Sequence, residues 1–174
     1  MKKKFALCLI AVVCLFCHPN VFPHCQIPCG IYNDEMRFMM MKEHIETIEK
    51  SMKQIIDLSK EPDKNANQLV RWVLNKEQHA EELAEIVTYY FLTQRIKPVN
   101  EDDAAAFEDY LFKISLLHKM LVVAMKTKQT TDLNNVEELR LLLQDFHNSY
   151  FGKKNQSLKI ENLYLNIFSF SFIN

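Results

Sequence analysis

Residues 24–32 read His24-Cys25-Gln26-Ile27-Pro28-Cys29-Gly30-Ile31-Tyr32. Pro28 and Gly30 bar the stretch from a regular helix, because proline lacks the amide donor and glycine is too free. It is read as a loop or hook that folds back on itself. Upstream lies a short leader. Downstream, as far as about residue 151, the chain carries helical periodicity. The hook therefore marks where the folded domain begins, and it is also the stretch densest in reactive side chains, with an imidazole and two thiols.

Outward from the hook, Asn33 or Asp34 can cap a first helix over about 34–59, with Met36, Met39, Met40, Ile45, Ile48, Met52, Ile55 and Ile56 at roughly helical spacing. Glu61-Pro62-Asp63 breaks it. A second helix is expected from about Ala66 to Thr93, its apolar face made by Leu69, Val70, Val73, Leu74, Leu83, Ile86, Val87 and Tyr90. A third spans about Asp102 to Thr127, with Phe107, Tyr110, Leu111, Ile114, Leu117, Leu121 and Val122 inward and His118 on the same stripe. Asp132 is expected to cap a fourth, and Gly152 to stop it. Four amphipathic helices with short connections predict an all-α, up-and-down four-helix bundle carrying an N-terminal hook.

The chain of 174 residues, 48% of them hydrophobic, fits one domain with an ample core. Three segments are expected: 1–23 as signal peptide or propeptide, 24–153 as the bundle, and 154–174 as a C-terminal tail to which the sequence assigns no role. The leader has Lys2, Lys3 and Lys4 followed by an apolar run from Phe5 to Cys17, as in a secretory signal, and is too short to span a bilayer comfortably. Export to a periplasmic or extracellular space is the expectation, with a cytoplasmic protein bearing a cleaved propeptide as the alternative. Without residues 1–23 the charge is −4, from 18 basic and 22 acidic residues. A mildly acidic domain with no basic run is a poor nucleic-acid binder. Removing the leader also removes Cys8, Cys14 and Cys17, so only Cys25 and Cys29 remain. No disulfide framework can be built from these two.

Two thiolates four residues apart suit a soft-to-borderline transition metal. His24 is the obvious third donor. A cut directly before His24 frees an α-amino group beside the first thiol, with the Cys25 amide nitrogen between them. Amine, amidate and two thiolates make a near-planar set of the kind Ni(II) or Cu(II) favours, and the His24 imidazole could cap it axially. A short Cys25–Cys29 disulfide, or two idle thiols, are the alternatives that spacing leaves open. A ferritin-like di-iron centre is excluded. It needs Glu-x-x-His on two helices, whereas Met41, Lys76, Ser115 and Gln144 stand three residues before His44, His79, His118 and His147.

The run His-Cys-x-x-Pro-Cys-Gly-x-Tyr at His24 to Tyr32 resembles the nickel-binding hook of nickel-containing superoxide dismutases. The likeness continues more weakly through Thr47-Ile48-Glu49-Lys50 and Lys76-Glu77-Gln78, and covers His24 to about Lys153. The resemblance implies a four-helix bundle, a hexameric assembly, and maturation by a protease that exposes His24 as the new N-terminus. It implies one nickel ion per subunit, held by the amine and side chain of His24, the amide nitrogen and sulfur of Cys25, and the sulfur of Cys29. It further implies disproportionation of superoxide, with nickel cycling between +2 and +3. Pro28 and Gly30 would shape the hook, and Tyr32 would stand beside the substrate channel, ordinary packing being the alternative.

Metal-bound histidines usually need a supporting partner. His79 follows Lys76-Glu77-Gln78 where some relatives have a supporting arginine, so it is the candidate for that role. Where some relatives use a first-helix glutamate, this chain has Met40 or Met41, with Glu43 further along. His118 is expected in the core, and His44 and His147 are read as ordinary helix residues. A non-enzymatic helical metal-binding or thiol-bearing protein is the runner-up from a different class.

Overall fold

The computed structural model describes residues 28–152. The leader, His24, Cys25 and the tail 154–174 lie outside the described residues. Helix α1 spans Asp34–Leu58. Asn33 caps it, its Oδ1 accepting the Met36 amide at 3.1 Å, and Asp34 and Glu35 complement the positive end of the helix. Pro62 interrupts the chain by opening the next helix, because its missing N–H costs nothing in a first turn. Helix α2 is accordingly Pro62–Glu85 and starts earlier than Ala66.

At Ile86 the coil widens into a π-helical segment, Ile86–Arg95. The Ile96 amide donates to the Phe91 carbonyl five residues back at 2.8 Å. The side chains of Thr93 and Gln94 likewise reach back five residues, to the carbonyls of Thr88 and Tyr89. Periodicity predicts a helix here but not its wider coil. The run Ile86-Val87-Thr88-Tyr89-Tyr90-Phe91 is β-branched and aromatic, the residue types an α-helix crowds most. The π coil buries Ile86, Val87, Tyr90, Phe91 and Gln94 together. Such segments are rare and concentrate at functional sites.

Helix α3 spans Ala104–Gln129, with Asp103 accepting the Ala106 amide at 3.1 Å. Helix α4 spans Asn134–Tyr150, with Asp132 accepting the Asn134 amide at 3.0 Å. Gly152, at φ +69°, ends it in the left-handed conformation. Each helix packs on its sequence neighbour, and α1 closes on α4. The short connections make neighbours antiparallel. Asp34, at the start of α1, thus meets Arg95 at the end of the π segment and Tyr150 at the end of α4. The described residues are all helix and connection, a four-helix bundle. No helix among them is long and apolar enough to cross a membrane.

Met41, Ile45, Ile48 and Met52 from α1 meet Leu83, Val87, Phe91, Leu117, Met120, Val123, Leu139 and Phe146 in the core, all fully buried. Each such side chain is worth about 1.5–3 kcal/mol of burial. At the end of the bundle nearest the hook, Phe38 stands within 4.8–5.6 Å of Phe91, Phe146, His147, Tyr150 and Phe151, ring centroid to centroid. Further along, buried Lys76 donates to the carbonyls of Thr127 and Lys128, both at 2.6 Å. A cation thus satisfies orphan carbonyls in the last turn of α3 and complements its dipole.

Some expected core positions are corrected. His118 is exposed, as are Met36, Met39, Ile56, Val70, Val73, Leu74 and Leu111. Helix α3 is apolar around most of its circumference, so the stripe that buries Leu116, Leu117, Met120, Val123, Ala124 and Thr127 was free to be read out of phase. No residue of α2 before Lys76 is buried. Its apolar residues there form an outer face, with Trp72 half-buried and the Lys50 ammonium 5.9 Å from its ring.

Candidate metal centre

The described part of the hook is a tight turn. The Ile31 amide donates to the Pro28 carbonyl at 2.8 Å. Gly30 holds the third position of that turn at φ +85°, the place where a type II turn demands positive φ and therefore glycine. Cys29 sits at the corner with its side chain exposed. A thiol presented on a turn is a suitable soft donor for a borderline metal. His24 and Cys25, the other expected donors, lie outside the described residues.

Tyr32 follows directly. Its ring meets Tyr90 edge-on at 5.8 Å between centroids, and the Arg95 guanidinium lies 4.3 Å from its centroid. It stays 39% exposed, so it is anchored on one side and open to solvent on the other. Behind it, Arg95 and Tyr90 both converge on Asp34. The π segment supplies both, which ties the base of the hook to the bundle.

A cleft of about 460 Å³ opens beside the turn, lined by Pro28, Arg37, Met40, His44, Glu82 and Tyr90 among others. His44, on its wall, has its Nδ1 2.9 Å from His79 Nδ1. Glu82 Oε2 lies 3.4 Å from the first and 3.6 Å from the second. His44 is buried and the other two are half-buried. Burial holds the His44 imidazole below its ordinary pKa, the nearby Glu82 carboxylate only partly opposing it. His44 is thus predominantly neutral near pH 7.

His79, singled out from the sequence, therefore sits in a cluster whose other members sequence reasoning missed. The signal for His44 was its phase, since it shares the buried stripe of Met41, Ile45 and Ile48. Glu82 stands one helical turn beyond His79. Of the positions compared with the relatives' first-helix glutamate, Met40 lines the cleft, Met41 is fully buried and Glu43 is exposed. The carboxylate beside His79 comes instead from α2, as Glu82. His147 is a partner rather than a plain surface residue: its ring meets Phe38 edge-on at 4.8 Å, and its Nε2 is 3.4 Å from Glu35 Oε2.

No curated protein and no solved structure matches the chain. One family model does, over residues 19–154, spanning hook and bundle together, and its description is nickel-containing superoxide dismutase.

Proposed function

This chain belongs to the nickel-containing superoxide dismutase family, and from that membership we propose how its residues divide the work. The family makes it an oxidoreductase acting on superoxide with a nickel cofactor. The observation that carries the assignment is that one match covers both the hook and the whole bundle.

His24, through amine and imidazole, Cys25, through amide nitrogen and sulfur, and Cys29, through sulfur, would hold the ion. When bound, nickel would supply one-electron chemistry between +2 and +3, so that two superoxides and two protons become dioxygen and hydrogen peroxide. The Pro28–Gly30 turn fixes where the Cys29 sulfur stands. Tyr32 offers a hydroxyl beside the metal for ordering substrate or water, its ring held by Tyr90 and Arg95. His79 would steady the His24 imidazole through Nε2, because its Nδ1 is turned toward His44 and Glu82.

The leader would carry the precursor out of the cytoplasm, and a protease would expose His24. The apolar outer face of α2 around Trp72, with Val70, Val73 and Leu74, suits burial between subunits of a hexamer. The test of the whole reading is to identify the mature N-terminus by mass spectrometry. The uncut chain is then compared with the chain cut before His24, for bound nickel and for superoxide dismutation. The cut form should be active and the uncut form inactive, since an amide nitrogen replaces the amine donor in the latter. Equal activity would overturn the donor set.

A further inference from the structure

We propose that His44, His79 and Glu82 form a second cation site, made of nitrogen and oxygen donors and separate from the thiolate hook, which takes a borderline divalent ion such as zinc. The three facing atoms, two Nδ1 and one Oε2, are 2.9, 3.4 and 3.6 Å apart. Donors placed about 2.0–2.1 Å from a tetrahedral zinc lie roughly 3.3–3.4 Å from each other. The three distances are within a few tenths of an ångström of that edge, so a cation at their centre requires only small side-chain shifts.

The convergence of the side chains points the same way. The two Nδ1 atoms lie within hydrogen-bonding distance of each other, and Glu82 Oε2 faces both. Three potential donor atoms thus face one point. A divalent ion satisfies all three at once. Two imidazoles and one carboxylate leave a fourth position for water, the donor count of open zinc sites. His44 and Glu82 line the cleft, which gives an ion a way in. Such a ligand set contains no sulfur, so it discriminates against the softest ions.

The proposal does not depend on the dismutase reading, and its test reads metal rather than turnover. The full chain is treated with iodoacetamide to block its five cysteines, then titrated with zinc by calorimetry, and with cobalt as a visible-light probe. The expected result is one zinc per chain, and a tetrahedral cobalt spectrum without sulfur charge-transfer bands. His79→Gln and Glu82→Gln, both at half-buried positions, should each weaken zinc by about tenfold or more while helix content by circular dichroism is unchanged. His44→Ala removes a buried ring and serves only as a third check. Absence of a stoichiometric zinc, or zinc affinity in both half-buried variants equal to that of the unsubstituted chain, overturns the site and leaves the cluster a hydrogen-bonded group only.

Discussion

Arg95 grips Asp34 at two points, Nε to Oδ1 at 2.8 Å and Nη2 to Oδ2 at 2.6 Å. Tyr90 and Tyr150 donate to the same carboxylate at 2.6 and 2.8 Å. Three chain segments therefore meet on the first residue of α1, just behind the hook. Burial alone would raise the Asp34 pKa, but the hydrogen bonds from Arg95, Tyr90 and Tyr150 outweigh it and hold it below 3.8. Burial and that carboxylate push both tyrosines up to about 12.

Asp34→Asn should lower stability by about 1–3 kcal/mol in urea, since it leaves charged and phenolic donors poorly matched. The pH dependence follows from the direction of the shift. The unfolded chain binds the proton more readily, so Asp34 stabilises the fold fully above its ordinary pKa, and that contribution is lost as pH falls through the depressed folded value. Acid denaturation of the wild type should show this loss below about pH 3.8, and Asp34→Asn should show a shallower one. Identical acid profiles would contradict the role given to this carboxylate.

Lys76→Ala should cost roughly 2–4 kcal/mol, because it strands the carbonyls of Thr127 and Lys128 in a buried setting. Lys76→Met restores volume but not the bonds, and should recover only part of the loss. If Met recovers all of it, the ammonium is not what holds α2 to the end of α3. Urea midpoints of the three proteins decide the matter.

Cys29→Ser should abolish nickel retention and dismutation, yet leave helix content and thermal midpoint nearly as they were. The side chain is exposed and no buried core residue belongs to its turn. Nickel analysis, a superoxide assay and circular dichroism on one sample separate the two effects. A fully active Cys29→Ser protein is incompatible with the thiolate assignment.

His79→Ala should lower turnover by about ten- to a hundredfold with nickel still bound, as losses behind a metal ligand do. The pH–rate profile should change as well, which a merely structural role would not produce. Turnover and profile equal to the wild type would leave His79 no part in catalysis.

The bundle was legible because Ile45, Ile48, Met52, Leu83 and Val87 keep helical phase over several turns, and because Asn33, Pro62 and Gly152 punctuate it. His118 was misplaced because α3 presents apolar residues on nearly every side, so periodicity cannot choose a face. The π coil at Ile86 was not legible, since i→i+5 bonding has no hydrophobic period distinct enough over ten residues. His79 could be picked from its neighbours in the chain. The His44–His79 contact could not, because it joins residues 35 apart through the crossing of two helices.

Pro28 to Asn33 share no residue with the buried core, and the Tyr32 ring, set against Tyr90 and Arg95, is the rivet between the two parts. Inheritance can therefore treat them as separate parts. Substitutions in the core answer to packing and those in the hook answer to metal chemistry, so each can drift with little penalty to the other. Tyr32, Tyr90 and Arg95 are the positions where the two histories must stay in step.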